Sequence, residues 1–327
     1  AALILVKLRL ALLNRHHEIP SRRVIVAQPQ RGNAQADHHV VVVLRRVILA
    51  RFLRRRNPAL VLAAARGRGG LAALYAKHLL EARLLWPVLP LALPLFALYG
   101  ARPKAPFPSL LLAYDLAGEG AGAAELVRAY RGEGLLTLAF VGREESPLAG
   151  AAEAVLPLHL GGAEGAGFLA GLAATAQLAA HLLEEPRLRE ALPALPEAMA
   201  RALEGEEGLE VGEGLFVLGP GFAYPVALEA ALRLKEAGLR AEGVAALEEL
   251  FPAGLPLLVL VGRDGVLAGL IPALEGLKAK GVPLFVLSPE PEALALADLP
   301  LPLPVALAPE LDPILLGLGF HARLAAR

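Results

Sequence analysis

The sequence predicts an α/β protein of two doubly wound lobes, each a parallel sheet flanked by helices. Three observations carry this reading. From residue 58 onward, short apolar runs alternate with helix-length stretches, the pattern of parallel strands covered on both faces. Two glycine turns, Gly67-Arg68-Gly69-Gly70 and Gly219-Pro220-Gly221, each join an apolar run to a helical stretch and lie 152 residues apart, which suggests duplicated halves. A chain of 327 residues is also too long for one ordinary core and suits two.

Taken in order, the first 57 residues form a basic N-terminal arm. They hold twelve Lys and Arg against Glu18 and Asp37, a net +10 that the remainder of the chain offsets. Targeting peptides and nucleic-acid arms share such a bias. Ser21 is the only serine here and Phe52 the only aromatic, so neither a Ser-rich leader nor base stacking is supported. The expectation is a helical arm packed on the acidic body or on a second subunit, with no nucleic-acid partner. His16, His17, His38 and His39 have no carboxylate cluster beside them, so no metal site is expected.

Residues 58–160 make the first lobe. Runs at 59–65, 92–99, 109–114, 135–141 and 154–158 read as strands, with helices at 71–82 and 122–131. Residues 161–210 read as a helical linker broken by Pro186, Pro193 and Pro196. Residues 211–327 make the second lobe, with strands expected at 214–218, 255–261, 283–287 and 303–307 and a strong helix at 224–237.

Composition narrows the chemistry. The chain has no cysteine, which removes disulfides and thiolate catalysis and leaves no marker of an oxidising compartment. A cytoplasmic protein is expected. Mean hydropathy is +0.53, but the best candidate for a membrane span, the uncharged run 84–101, carries Pro87, Pro90 and Pro94. Those prolines would repeatedly break a spanning helix, so the run reads as a connection into a buried strand and no membrane partner is expected. The scarcity of Met and Asn is a thermophile-like bias.

A strand ending in glycines and opening a helix presents backbone N–H groups at the positive end of a dipole, an anion site. The same glycines would also serve tight turns alone. Gly67-Arg68-Gly69-Gly70-Leu71-Ala72 satisfies a loose dinucleotide fingerprint. No acid ends the run 92–99, though Arg102 would suit a 2′-phosphate, so an NADP enzyme stays as a minor alternative. Arg143 and Arg263 each follow Val-Gly after a strand and could grip an anion or simply be exposed. Asp115 ends a strand where open sheets bind ligands, and would serve equally to cap the next turn.

Residues 219–236, Gly-Pro-Gly-Phe-Ala-Tyr-Pro-Val-Ala-Leu-Glu-Ala-Ala-Leu-Arg-Leu-Lys-Glu, resemble the glycine turn, Tyr-Pro and helix of the second sugar isomerase (SIS) half in glucosamine-6-phosphate synthases. Ala241-Glu242 and Glu248 fall where that family has Ala-Glu and a glutamate of the catalytic region. Gly319-Phe320-His321 resembles its C-terminal Tyr-His helix. Ala117-Gly118-Glu119-Gly120 resembles its Ser-Gly-Glu-Thr phosphate loop. The layout, a short leading segment and two SIS halves, is closer to the bifunctional phosphoglucose/phosphomannose isomerases, whose first glycine turn Gly67-Arg68-Gly69-Gly70 resembles.

The resemblance implies a homodimer that isomerises a sugar phosphate without metal or organic cofactor. Phosphate would sit at Gly67, Arg68, Gly69 and Gly70 and at Gly118, Glu119 and Gly120. Glu248 would be the base, with Glu249 as a register alternative; His321 would be the acid or ring-opener, and Glu242 would orient a partner. The departures are specific. The family's phosphate hydroxyls are replaced at Gly69 or Leu71 and at Ala117 and Gly120, the histidine after its glutamate is replaced near Phe251, and no lysine follows Lys280. Arg68 would have to compensate, since guanidinium grips phosphate in two places. A catalytically weak or inactive sugar-phosphate-binding regulator is therefore the main alternative.

Overall fold

The computed structural model describes residue 47 and residues 49–118, 120–160, 166–204, 208–209, 212–247 and 255–325. It contains two five-stranded parallel sheets. The first is built from β1 (Leu60–Ala65), β2 (Val88–Leu91), β3 (Ser109–Asp115), β4 (Leu136–Val141) and β5 (Ala154–Pro157), in the order β2-β1-β3-β4-β5. The second has β6 (Gly214–Leu218), β7 (Arg240–Val244), β8 (Leu257–Leu260), β9 (Leu284–Ser288) and β10 (Leu299–Pro302), in the order β10-β9-β8-β6-β7. Counted from the first strand of each lobe, both follow one order, so the repeated glycine turns mark a repeated topology. Central strands such as β3, Ser-Leu-Leu-Leu-Ala-Tyr-Asp, are buried along their whole length, as parallel strands covered by helices must be.

The lobes meet through the helices that follow their glycine turns. Arg68–Leu84 lies against Tyr224–Glu236, the start of each helix beside the end of the other. Gly167–Leu182, from the expected linker, packs on Arg68–Leu84. There a Cβ on Gly171 would come 3.1 Å from the Ala72 Cβ, and the Tyr114 and Thr175 hydroxyls lie 2.9 Å apart. The terminal helix Asp312–Ala325 closes the layer. One continuous apolar core runs from Val61 and Tyr75 in the first lobe to Leu215 and Phe320 in the second.

Three elements differ from the sequence expectation. The run 92–99 is the helix Leu93–Tyr99, and the strand it was expected to form lies earlier, at β2. The last strand is β10 at 299–302, not 303–307. β7 is a strand the apolar-run reading does not include. Of the basic arm, the described part is a helix over 49–56 that buries Ala50 and Leu53; the paired histidines lie outside the described residues.

Candidate functional site

In both sheets the strand order reverses between the first and third strands, and ligands of open α/β sheets sit beyond the carboxyl ends at that point. In the first lobe the position is bordered by the turn after β1, the loop after β3 and, one strand further on, the loop after β4.

The turn after β1 is explained by packing. Gly67 has φ 53°, a conformation that favours glycine. A Cβ on Gly69 would meet the Tyr114 carbonyl oxygen at 3.3 Å. The Gly69 and Gly70 N–H groups donate to the Arg66 and Gly67 carbonyls at 3.0 and 2.9 Å, so these two donors are already engaged. Arg68 is engaged as well. Its Nε donates to both Glu229 carboxylate oxygens at 2.8 and 3.0 Å, and its Nη2 to both Glu236 oxygens at 2.7 and 2.8 Å. The guanidinium expected to hold phosphate is thus neutralised by two carboxylates from the other lobe.

Those carboxylates come from one helix face. Glu229, Arg233 and Glu236 are spaced i, i+4, i+7 on Tyr224–Glu236, which stacks them in a row. The Glu229 side chain is 2% exposed and also accepts from Arg233 Nε at 2.8 Å. Glu236 is half-exposed, and its hydrogen bonds with Arg68 hold its carboxyl below the usual range. His321, on the terminal helix, joins this group. Burial, aided by the charges of Arg233 and Arg68, lowers it to about 4, so its imidazole is neutral at pH 7. Two arginines, two glutamates and a neutral histidine, drawn from both lobes and the terminal helix, therefore share one region.

The loop after β3 is built for close approach. Asp115 Oδ1 accepts the Gly118 N–H at 2.9 Å. A Cβ on Gly120 would lie 2.7 Å from the Asp115 Cγ. Gly118 has φ 81°. The helix Ala121–Ala129 starts here with no side-chain cap and no acid in its first turn. Glu119 lies outside the described residues. So do Glu248 and Glu249, and the structure does not place the expected base. Glu242 is exposed on β7, paired in register with Phe216.

The second lobe's turn already holds a carboxylate. Asp264 Oδ2 accepts the Phe222 N–H at 3.0 Å and would meet a Cβ on Gly221 at 2.2 Å. Beside it, His78, Glu81, Arg83, Phe222 and Asp264 line an open cleft of about 540 Å³. Arg263, read from the sequence as either an anion grip or an exposed side chain, pairs with the buried Asp312. Arg102 pairs with Glu133 and does not end β2, so the position that favoured a 2′-phosphate is lost. Among the described residues no group of three or more His, Cys, Asp or Glu could hold a metal, and no helix is long and apolar enough to cross a membrane.

Sequence reasoning did not single out Glu229, Arg233 or Glu236. The available signal was Glu229 itself, which falls three residues after the buried Val226 and beside Ala230 on the apolar stripe of the helix.

Comparison with known proteins supports this layout. No family model matches the chain. A curated glutamine–fructose-6-phosphate aminotransferase (isomerizing) from Methanothermobacter thermautotrophicus is 46% identical over 70 residues. That match covers 19% of this chain and 12% of the relative, so the chain spans only a small part of it. A protein from Silicibacter pomeroyi, provisionally assigned as a phosphosugar isomerase, superposes with TM-score 0.77 at 28% identity, over 89% of this chain and 91% of that one. Tagatose-6-phosphate ketose/aldose isomerase from Escherichia coli superposes with TM-score 0.63 at 15% identity, over 89% and 88%, a likeness of fold. The fold is that of these sugar isomerase (SIS) proteins, with two SIS-type lobes.

Proposed function

We propose that this chain binds a sugar phosphate and interconverts its aldose and ketose forms through an enediol. The observation that carries the reading is the shared cluster of His321, Glu229, Glu236, Arg68 and Arg233 in an SIS fold. Isomerisation needs an ionised carboxylate to take the C2 proton and return it to C1. It also needs a group to pass the hydroxyl proton from O2 to O1, and positive charge near the enediolate. Glu236 is the accessible carboxylate of the cluster, and Arg68 keeps it ionised. A substrate anion that drew Arg68 away would return Glu236 toward its ordinary basicity. The neutral imidazole of His321 can both accept and donate, which suits it to the hydroxyl transfer. Glu248 is the base implied by the sequence resemblance, so the two glutamates are competing assignments.

The test is turnover of fructose 6-phosphate and related hexose 6-phosphates. Glu236→Gln is expected to lower kcat by ~10²-fold or more, the usual scale of a lost acid–base group, with KM little changed. The same loss in Glu248→Gln, with Glu236→Gln active, moves the base to Glu248. A wild-type chain that binds these sugars and turns none over overturns the isomerase reading in favour of a sugar-phosphate-binding regulator. The mutual occupation of Arg68 and Glu236 and the missing hydroxyls favour that second reading.

A further inference from the structure

We propose that the cleft at the second lobe's switch point is a second ligand site, which takes the primary ammonium of a small organic molecule. It is separate from the cluster at Arg68 and does not rest on the isomerase reading. The order of the second sheet reverses between β6 and β8, the position at which open sheets bind ligands. The turn after β6 and the loop after β8 bring Phe222 and Asp264 to the cleft, and the first lobe's helix Arg68–Leu84 brings His78, Glu81 and Arg83. Its volume of about 540 Å³ is that of a small-molecule site.

The groups that would draw an anion are spent within the chain. Pro220 has no N–H. The Phe222 N–H donates to Asp264 Oδ2 at 3.0 Å. Arg83 Nε donates to Glu310 Oε1 at 2.6 Å, and its guanidinium lies 5.2 Å over the Phe222 ring. What remains are acceptors. The Gly221 carbonyl can only accept, so His78 Nδ1, 2.8 Å away, carries the hydrogen, and Nε2 of the neutral ring keeps its lone pair. His78 and Asp264 thus hold the two ends of one peptide group, the Gly221 C=O and the Phe222 N–H. Glu81 lies three residues beyond His78 on the same helix face. Lys77 Nζ and the Val88 N–H both donate to its Oε1, which leaves Oε2 as an acceptor. Burial opposes ionisation, but those hydrogen bonds and the nearby charges of Lys77 and His78 hold the Glu81 carboxyl below its usual range.

Asp264 sets the charge of the site. Its Oδ1 is buried and has no hydrogen-bond partner among the described residues. A buried acceptor in that state is costly to leave, and the carboxyl can turn about its Cβ–Cγ bond to meet a donor in the cleft. Lys77 balances Glu81, and Glu310 balances Arg83. Arg263, next in the chain to Asp264, is bound to Asp312. Asp264 is therefore the one lining charge without a counter-ion among the described residues, and the cleft is negative by one. An ammonium carries one positive charge and three N–H donors, which matches one surplus carboxylate and three acceptors. Among the described residues no three His, Cys, Asp or Glu could hold a metal ion, so the cation that fits is organic.

Calorimetric binding of glucamine and of sorbitol tests this, because the two differ only by an ammonium in place of a hydroxyl. At pH 7 glucamine is expected to bind the wild-type chain ~10-fold or more tighter than sorbitol, the scale of a hydrogen bond to a charged group. Asp264→Asn keeps an acceptor for the Phe222 N–H and removes the charge, and is expected to erase the difference. Glu81→Gln is expected to lower glucamine affinity ~3- to 10-fold, and it decides the matter if Asp264→Asn does not fold. Glu236→Gln, at the lobe-boundary cluster, is expected to bind glucamine as wild type does. Equal affinity for glucamine and sorbitol overturns the proposal. So does glucamine binding that survives Asp264→Asn, or Glu81→Gln where that variant alone folds. A loss that appears in Glu236→Gln instead places the amine at the other cluster and overturns this site.

Discussion

Arg68→Met is a direct probe of how the two lobes are joined. The substitution keeps the stem and removes two pairings of different worth. The pair with Glu236 is half-exposed, and such pairs contribute ~0–1 kcal/mol. The pair with Glu229 ends on a carboxylate 2% exposed. Breaking a buried pair from one side costs about 3–5 kcal/mol, because a charge is left behind in low dielectric. Here Arg233 still donates to Glu229 at 2.8 Å, and Arg68 is itself about one-third exposed, which admits water. The expected loss is therefore ~2–3 kcal/mol, read as a lower urea midpoint at unchanged slope. Adding Glu229→Gln removes the stranded charge, so the double variant should recover ~1 kcal/mol or more of that loss. His321 gives an independent reading. Arg68 is one of the charges that lower it, so its pKa, followed by NMR, should rise in Arg68→Met. A loss under ~0.5 kcal/mol together with an unmoved His321 would refute the argument.

Two further outcomes follow from the same geometry. Gly118→Ala forces a side chain into a left-handed conformation, which costs ~1–2 kcal/mol, and pushes the Arg143 stem off the loop. It should weaken binding of fructose 6-phosphate and of inorganic phosphate by ~10-fold, and unchanged affinity for both would show that this loop does not hold the anion. For His321, the folded pKa is lowered from 6.5 to about 4. The unfolded chain then binds more protons between those values, so stability is full above pH 6.5 and falls as pH drops toward 4. At ~1.4 kcal/mol per unit the loss approaches about 3 kcal/mol. His321→Phe should flatten that part of the urea-midpoint profile between pH 7 and 4.5, and an identical profile in the variant would show that His321 does not titrate this way.

The central strands were legible because their burial leaves an uninterrupted apolar run, as in β3, β4, β6 and β9. The misplacements fall on sheet edges. β2 and β10 are edge strands that contain Pro90, and Pro300 and Pro302, respectively. Proline is tolerated at an edge, where its missing N–H costs no ladder bond, yet on sequence alone it argues against a strand. β7 is an edge strand of the form Arg-Ala-Glu-Gly-Val, too polar to register as an apolar run. The helix Leu93–Tyr99 failed differently. A seven-residue apolar stretch has no period long enough to distinguish helix from strand.

The charged cluster was hidden for a related reason. Glu229, Arg233 and Glu236 spaced along one helix describe a solvated face as readily as a buried one, and only the partner helix decides which. That partner comes from 161 residues earlier in the chain, beyond the reach of any local pattern. The consequence for function is that the cluster and the lobe contact are the same object. A ligand anion entering near Arg68 must compete with two carboxylates already bound, and whatever it gains there is offset by loosening the contact between lobes. A phosphate placed instead on the backbone donors of the loop after β3 would not displace either carboxylate from Arg68. It would leave Glu229 and Arg68 to hold the lobes while the sugar reaches toward Glu236 and His321. This division, with anion capture on one loop and proton transfer at the lobe boundary, requires that Gly118→Ala weaken phosphate binding and that Arg68→Met lower the urea midpoint while leaving that binding alone.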